Sequence, residues 1–405
     1  MLVMVTVLVV ILCACGKDKE IPGESSEERA ESIGKEEEQQ WEKGYNLPVD
    51  EKERKEAEAD CKRMMEIIHD TFEHAEKGEA SDVTLSEETI LEMQDKLKET
   101  GEPVYSSLIY SSMGNYEKAE DYLKECAKGK SGSVIIYEIQ FNGGIARRKY
   151  IFDGTDMYIL SARGVWNREG IPRMEYISFS RIKEWKYTEK GWFGYEVCVP
   201  EPPEVTEIVD GSSLVRIKPM DEEYQEMSEK CVRFIGYKGN NLLCSDWDNG
   251  HMEELDYNGL YEYLYQMKYQ WRFSSENYLD GIPPEEFESL IMEYLPVTAE
   301  QIREYAVIDE ESGNYVWERL GCLNYIPNFF GTSVPEVTDI KENGDGTITL
   351  TVDALCDMVI CNEAVITHEL TVRFAEDGSF QYIGNLVLDN GIQEIPKYQY
   401  RVGSR

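Results

Sequence analysis

The chain has 405 residues, 41% of them hydrophobic, which is enough for two or three domains and too apolar for a chain disordered throughout. Its 79 acidic residues against 41 basic ones leave a formal net charge of −38. That excess excludes nucleic acid as a partner, because such a partner's phosphates must be neutralised, and it disfavours lying flat on anionic lipid.

From Leu2 to Leu12 every residue but Thr6 is apolar. Such a run rises about 16 Å as a helix, roughly half of a bilayer's hydrocarbon core, and it has the length of a signal-peptide h-region. It closes on Leu12-Cys13-Ala14-Cys15, with Gly16 and a charged tract following at once. This stretch resembles the lipobox of bacterial prolipoproteins: Leu at −3, a small residue at −1, then the Cys that becomes the mature N-terminus. Cys13 at −2 and the lack of any Lys or Arg before the run depart from the usual pattern. The resemblance implies cleavage before Cys15, lipid attachment at Cys15 (a diacylglyceryl thioether, with palmitate as the label to follow), and a place on the outer side of the cell membrane. Two acyl chains give stable anchoring, at about 0.8 kcal/mol per buried CH₂. The membrane is therefore expected as a partner through a lipid anchor.

Residues 16–46 are rich in Glu, Lys, Ser and Gln and poor in apolar side chains. They cannot bury enough surface to order themselves and read as a tether, with an end-to-end distance on the order of 30 Å. The organisation expected is a signal peptide over 1–14, the lipidated Cys and a disordered acidic tether over 15–47, a helical plus antiparallel β domain over 48–275, and a C-terminal α+β domain over 282–396.

Helices are predicted over 50–77, 86–99 and 115–128. The first lacks Pro and Gly and carries Met64, Met65, Ile67, Ile68 and Phe72 at helical spacing. Ser86, with acidic residues after it, is a capping signal, and Ile90, Leu91, Met93 and Leu97 form the stripe of the second. From Ser133 the period falls to two. Strands are predicted over 134–141, 145–152, 156–162, 174–187 and 192–199. Asn142-Gly143-Gly144, Asp153-Gly154 and Lys190-Gly191 join them in an antiparallel meander. Further strands are expected over 214–218, 232–237, 241–247 and 251–256.

The stretch 258–271 is a predicted helix whose core stripe is Leu260, Leu264, Met267 and Trp271. Tyr257, Tyr261, Tyr265 and Tyr269 recur every four residues, a row that winds out of the core into water. Gly281, Pro283 and Pro284 mark a boundary within 274–284. The last unit reads as two helices, 285–294 and 298–305, then strands over 337–342, 347–354, 364–374 and 380–388. The fold class is thus α+β: N-terminal helices with a large antiparallel meander sheet, then a smaller domain of helices and a curved antiparallel sheet.

At fold level the first folded unit looks like the lipid-carrier lipoproteins, in which helices plug a half-barrel, and the last looks like the cone-shaped nuclear-transport-factor-like fold. The whole chain resembles uncharacterised surface lipoproteins of Gram-positive gut bacteria, of domain-of-unknown-function type. The leader, the acidic tether, and the stretches LPVTAEQIREYAV and DGTITLTVDALC carry that resemblance, and it implies no activity.

No G-x-S-x-G, S-x-x-K, H-E-x-x-H, Walker A or G-x-G-x-x-G motif occurs, so no catalytic residue is assigned. Four histidines and no C-x-x-C argue against zinc, and no metal or cofactor is expected. Eight cysteines remain after Cys13 and Cys15, most of them expected as buried thiols behaving as small hydrophobes. In EAVITHELTV one face of a strand carries Ala364, Ile366, His368, Leu370 and Val372, so His368 is the polar residue on an apolar face. Two readings follow. His368 meets a tyrosine or backbone partner in a filled core, or it anchors a ligand pocket beside Tyr382 on the next strand, whose face also carries Phe380, Leu386 and Leu388. The function expected is that of a non-catalytic lipoprotein binding a small-molecule ligand or a partner protein. The alternative is a cell-envelope or glycan hydrolase using paired carboxylates.

Overall fold

The computed structural model of this chain describes residues 40–78, 82–167, 169–321, 324–325, 330–357, 364–388 and 397–402. The leader, Cys15, most of the tether, Cys322 and Cys361 lie outside the described residues. The described residues form an α+β protein with two sheets. Its chain divides into two compact units, residues 1–219 and 220–405.

The division falls at Pro219 rather than in the Gly- and Pro-bearing stretch 274–284. Ile282 is fully buried and pairs with Tyr315, and one continuous core runs from Cys231 through Leu264 and Phe287 to Tyr382. Pro284 opens a helix there, where its missing N–H costs nothing, so this punctuation marks a turn inside a core and not a linker.

In the first unit, α1 (Glu51–His74) starts where the Asp50 carboxylate accepts the N–H of Lys52 at 2.8 Å. It buries Ala57, Cys61, Met64, Met65, Ile68 and Phe72. Helix α2 (Glu87–Lys98) starts at Ser86, whose hydroxyl accepts the Thr89 N–H at 3.2 Å. Ile90, Met93 and Leu97 are buried as expected, while Leu91 is exposed. Helix α3 spans Glu117–Cys126.

The seven strands are β1 (Val104–Ser106), β2 (Gly132–Ile139), β3 (Ile145–Phe152), β4 (Met157–Trp166), β5 (Pro172–Tyr187), β6 (Trp192–Val197) and β7 (Ser212–Arg216). They lie in the sheet in chain order, and β2 to β7 form the antiparallel meander that the hairpin residues predict. Strand β1 pairs with β2 in parallel and was not foreseen, since three residues are too few to show alternation. Alternation assigns the two faces. Tyr137, Ile139 and Ile145 pack under α1 and α2, with Leu160 and Ala162 against Ala57 and Cys61. On the opposite face Ile136, Tyr150, Ile159 and Phe193 pack under Ala119, Tyr122 and Leu123 of α3.

The second unit begins with α4 (Glu222–Met227) and a π-helical turn, Ser228–Val232. The strands expected over 232–256 are not formed, apart from the short β8 (Trp247–Asp248). Local bonds take their backbone groups instead. Asn240 donates to the Ile235 carbonyl, Asn241 donates to the Glu254 carbonyl and accepts from the Asp256 N–H, and Trp247 donates to the Leu242 carbonyl. Such bonds compete with a sheet ladder.

Helix α5 (Tyr257–Tyr269) is capped by Asp256, which accepts the Gly259 N–H at 2.9 Å. Leu260, Leu264 and Met267 are buried. Gln270 turns left-handed (φ 52°) and ends the helix, so Trp271 leaves the stripe and is 74% exposed instead of buried. The tyrosine row runs from buried Tyr257 and Tyr261 to exposed Tyr269. Helices α6 (Pro284–Tyr294) and α7 (Ala299–Tyr305) are tied by Glu288, whose carboxylate accepts from Arg303 at 2.7 and 2.9 Å and from the Tyr315 hydroxyl at 2.9 Å. The second sheet holds β9 (Val334–Glu342), β10 (Ile348–Leu355), β11 (Ile366–Phe374) and β12 (Phe380–Leu388), all antiparallel, with β8 on the outer edge of β12.

Candidate functional site

His368 on β11 is fully buried. Its Nε2 lies 2.9 Å from the Tyr237 hydroxyl and its Nδ1 lies 2.6 Å from Asn385 Oδ1. Asn385 donates its amide N–H to the Ser245 carbonyl at 2.9 Å, so its oxygen must accept from His368 Nδ1–H. Nε2 is then the acceptor for the Tyr237 O–H. Burial lowers the imidazole from 6.5 to about 4, with the Asn385 bond opposing in part, so the ring is neutral near pH 7.

Tyr382 is not beside it. Its hydroxyl donates to the Cys231 carbonyl at 2.6 Å, and its residue pairs with Val372, four positions along β11. The register shifts between Thr371 and Val372, which pair with Gly384 and Tyr382, so Ile383 is the extra residue of a bulge. The bulge changes which residues share a face. Asn385 comes to His368, and Leu386, expected inward with Tyr382, is half exposed. His368 and Tyr382 are core residues, each met by protein partners.

A different cluster has the features of a site. It lies on the first sheet, on the α3 face, in two rows of side chains at the margin of the α3 core. The register places Tyr105, Glu138, Ala146, Arg163 and Tyr176 in one row across β1 to β5. Arg148, Ser161 and Ser178 stand in the next. Arg148 is ion-paired with Glu138 and donates to the Tyr105 hydroxyl at 2.7 Å. Arg163 donates to Gln140 at 2.6 Å and is ion-paired with Glu175 at 2.7 Å. Beneath them Tyr150 donates to the Tyr195 hydroxyl at 3.2 Å, where the α3 core begins.

These pairs are neither core nor free surface. The side chains of Arg148 and Glu138 keep 18% and 5% of their surface, and those of Arg163 and Glu175 keep 16% and 34%. Burial works against the Arg148 charge, but Glu138 and then Tyr105 outweigh it, and its guanidinium is held above the ordinary arginine value. Burial raises Tyr105 and Tyr150 well above the usual phenol value.

Tyr176 defines the shape. The residue is 40% exposed, and burial of its hydroxyl is the largest influence and raises it, with the Arg148 and Arg163 charges opposing the rise and Glu138 and Glu175 adding to it. Tyr176 pairs with Arg163 in the register of β4 and β5, so its side chain stands beside the ion pairs on this face. The result is a polar shelf with two cations, two carboxylates, a half-exposed tyrosine and two half-buried serines.

The first unit also has a cleft of about 280 Å³ lined by Lys43, Tyr45, Lys183, Glu196, Cys198 and Glu204 among others. Its ion pairs, Lys43–Glu204 and Lys183–Glu196, are about half exposed on the lysine side, where such pairs contribute little. Cys61 and Cys231 are buried thiols, each pushed by burial up to about 12, which makes them poor nucleophiles. The candidate lipid site Cys15 lies outside the described residues.

Sequence reasoning missed the shelf. Its signal was present as Glu138, Arg148, Ser161, Arg163, Tyr176 and Ser178, polar residues that keep one parity within each of four strands, but other polar residues on β3 and β5 mask it.

Residues 54–401 match the model of a family described as a family of unknown function (DUF6070). No curated protein and no solved structure matches. With the match covering most of the chain, the protein belongs to that family.

Proposed function

We propose that this family member is a non-catalytic, extracytoplasmic binding lipoprotein, held to a membrane by a lipid on Cys15, that takes a polar ligand on the shelf of its first unit. The observation that carries the binding half is the placing of two guanidinium–carboxylate pairs around a solvent-reachable Tyr176. Partly burying four charges costs desolvation free energy that an apolar sheet face would not incur. A site that must meet a polar ligand explains why this face keeps them.

The anchoring half is supported by the leader ending on Leu12-Cys13-Ala14-Cys15 and by the acidic tract after it. Among the described residues no helix is long and apolar enough to cross a membrane. The hydrolase alternative has less support. Glycoside hydrolysis needs a pair of carboxyl groups free to face the scissile bond. Glu138 and Glu175 are each engaged by an arginine.

Two measurements test the two halves. Cys15→Ser is expected to abolish incorporation of labelled palmitate and to move the protein from the membrane to the soluble fraction. A variant that still labels and sediments with membranes would refute the anchor. A thermal-shift screen of envelope fragments, repeated on Tyr176→Ala, is expected to find ligands that stabilise the parent chain and not the variant.

A further inference from the structure

Resting on the shelf as the ligand site, we propose that its ligand is an uncharged oligosaccharide. The charges of the shelf sum to zero, since Arg148 and Arg163 are matched by Glu138 and Glu175. An anion would have to displace the carboxylates, and a cation would have to displace the arginines. Either exchange gives up a partly buried pair and leaves a charge behind it. An apolar ligand would cover the pairs and return no hydrogen bonds.

A hydroxyl group donates and accepts at once. A guanidinium–carboxylate pair has N–H donors and oxygen lone pairs side by side, and Arg163 and Glu175, which keep 16% and 34% of their side-chain surface, can offer both to neighbouring sugar hydroxyls without breaking the pair. Ser161 and Ser178, in register beside Arg148, extend the same chemistry across two strands. The face of Tyr176 supplies an apolar surface for the C–H face of a sugar ring, with its own hydroxyl at the rim. The partly exposed members run from Arg148 on β3 to Glu175 and Tyr176 on β5, two strand spacings or about 10 Å, which suits two or more sugar units better than a single ring. A peptide is the other neutral polar candidate. It is bound most readily by adding a strand to an open sheet edge, whereas β3 and β4 are flanked by strands on both sides.

The test is calorimetric titration of the purified chain with hexasaccharides of glucose, mannose, galactose and N-acetylglucosamine, against oligogalacturonate and mixed hexapeptides. At least one neutral hexasaccharide is expected to bind saturably, with an affinity nearly independent of salt. Tyr176→Ala is expected to weaken it about tenfold, and Tyr176→Phe to keep it. Unchanged thermal unfolding of both variants shows that the fold survives. If oligogalacturonate or hexapeptides bind through Tyr176 and no neutral sugar does, the ligand class is wrong and the shelf stands as a site. If no probe binds in a Tyr176-dependent way, both the class and the site are overturned.

Discussion

Replacing His368 by Leu removes both hydrogen bonds of a fully buried ring, the one from the Tyr237 hydroxyl and the one to the Asn385 oxygen. Each buried bond lost costs about 1–3 kcal/mol, so the loss is roughly 2–6 kcal/mol. For a unit of this size that lowers Tm by roughly 4–24 °C. The structure also fixes the pH dependence. The folded imidazole titrates at about 4 against 6.5 unfolded, so between those values the unfolded chain binds more protons. Stability from the neutral ring is therefore complete above about 6.5, falls as the pH drops toward 4, and changes no further below that. The full effect is roughly 3 kcal/mol, and roughly 2 kcal/mol of it is gone by pH 5. Chemical denaturation of parent and His368→Leu chains between pH 5 and 7.5 measures it. The gap between them is expected to be widest at pH 7.5 and to narrow as pH falls. A variant as stable as the parent at pH 7.5, or a gap that widens with acid, would refute the assignment of His368 as a neutral core residue.

Two further outcomes follow from the same packing. Arg147 is fully buried with its Nε 2.9 Å from Asp60, while Asp60 keeps a fifth of its surface, so the two partners differ in what their loss leaves behind. Asp60→Ala strands a buried guanidinium with only Glu56 at 3.4 Å and is expected to cost roughly 3 kcal/mol, whereas Arg147→Met leaves carboxylates that water can reach and is expected to cost less. Urea denaturation gives the order, and the reverse order would contradict it. Because one core joins Cys231 to Tyr382, a polypeptide of residues 220–405 is expected to unfold cooperatively and one of 282–405 is not. A cooperative transition in the shorter piece would restore the boundary at 274–284.

Local chemistry was legible in the sequence wherever it acts over a few residues. Asp50, Ser86 and Thr298 cap helices. The Gly-bearing turns after β2, β3 and β5 set the order of the meander, with Gly143, Gly154 and Gly191 all at positive φ. At Gly191 a side chain is doubly excluded, since an added Cβ would stand 2.4 Å from that of Lys218. Strand content failed over 232–256, where apolar alternation is present but asparagine side chains hold the backbone in turns. The pairing of His368 with Tyr382 failed for a register reason. One extra residue at Ile383 moves side chains to the other face, and a bulge leaves no mark in the alternation of a nine-residue strand. The shelf is the hardest case. Arg147, Arg148 and Lys149 read as one basic run, yet the strand sends Arg147 and Lys149 under α1, to Asp60 and Glu53, and Arg148 to Glu138 on the other face. Only the order of four strands brings Glu138, Arg148, Arg163 and Glu175 around Tyr176.

The measurement that bears most directly on the shelf is photo-crosslinking in intact cells, with a benzophenone amino acid in place of Tyr176 and, as the control, in place of Tyr400 of the second unit, which is similarly exposed. The account predicts a carbohydrate-bearing adduct at position 176, absent at position 400, that disappears when the neutral hexasaccharide bound most tightly in vitro is added in excess. Equal labelling at the two positions, or an adduct at 176 that no neutral saccharide competes away, would contradict it.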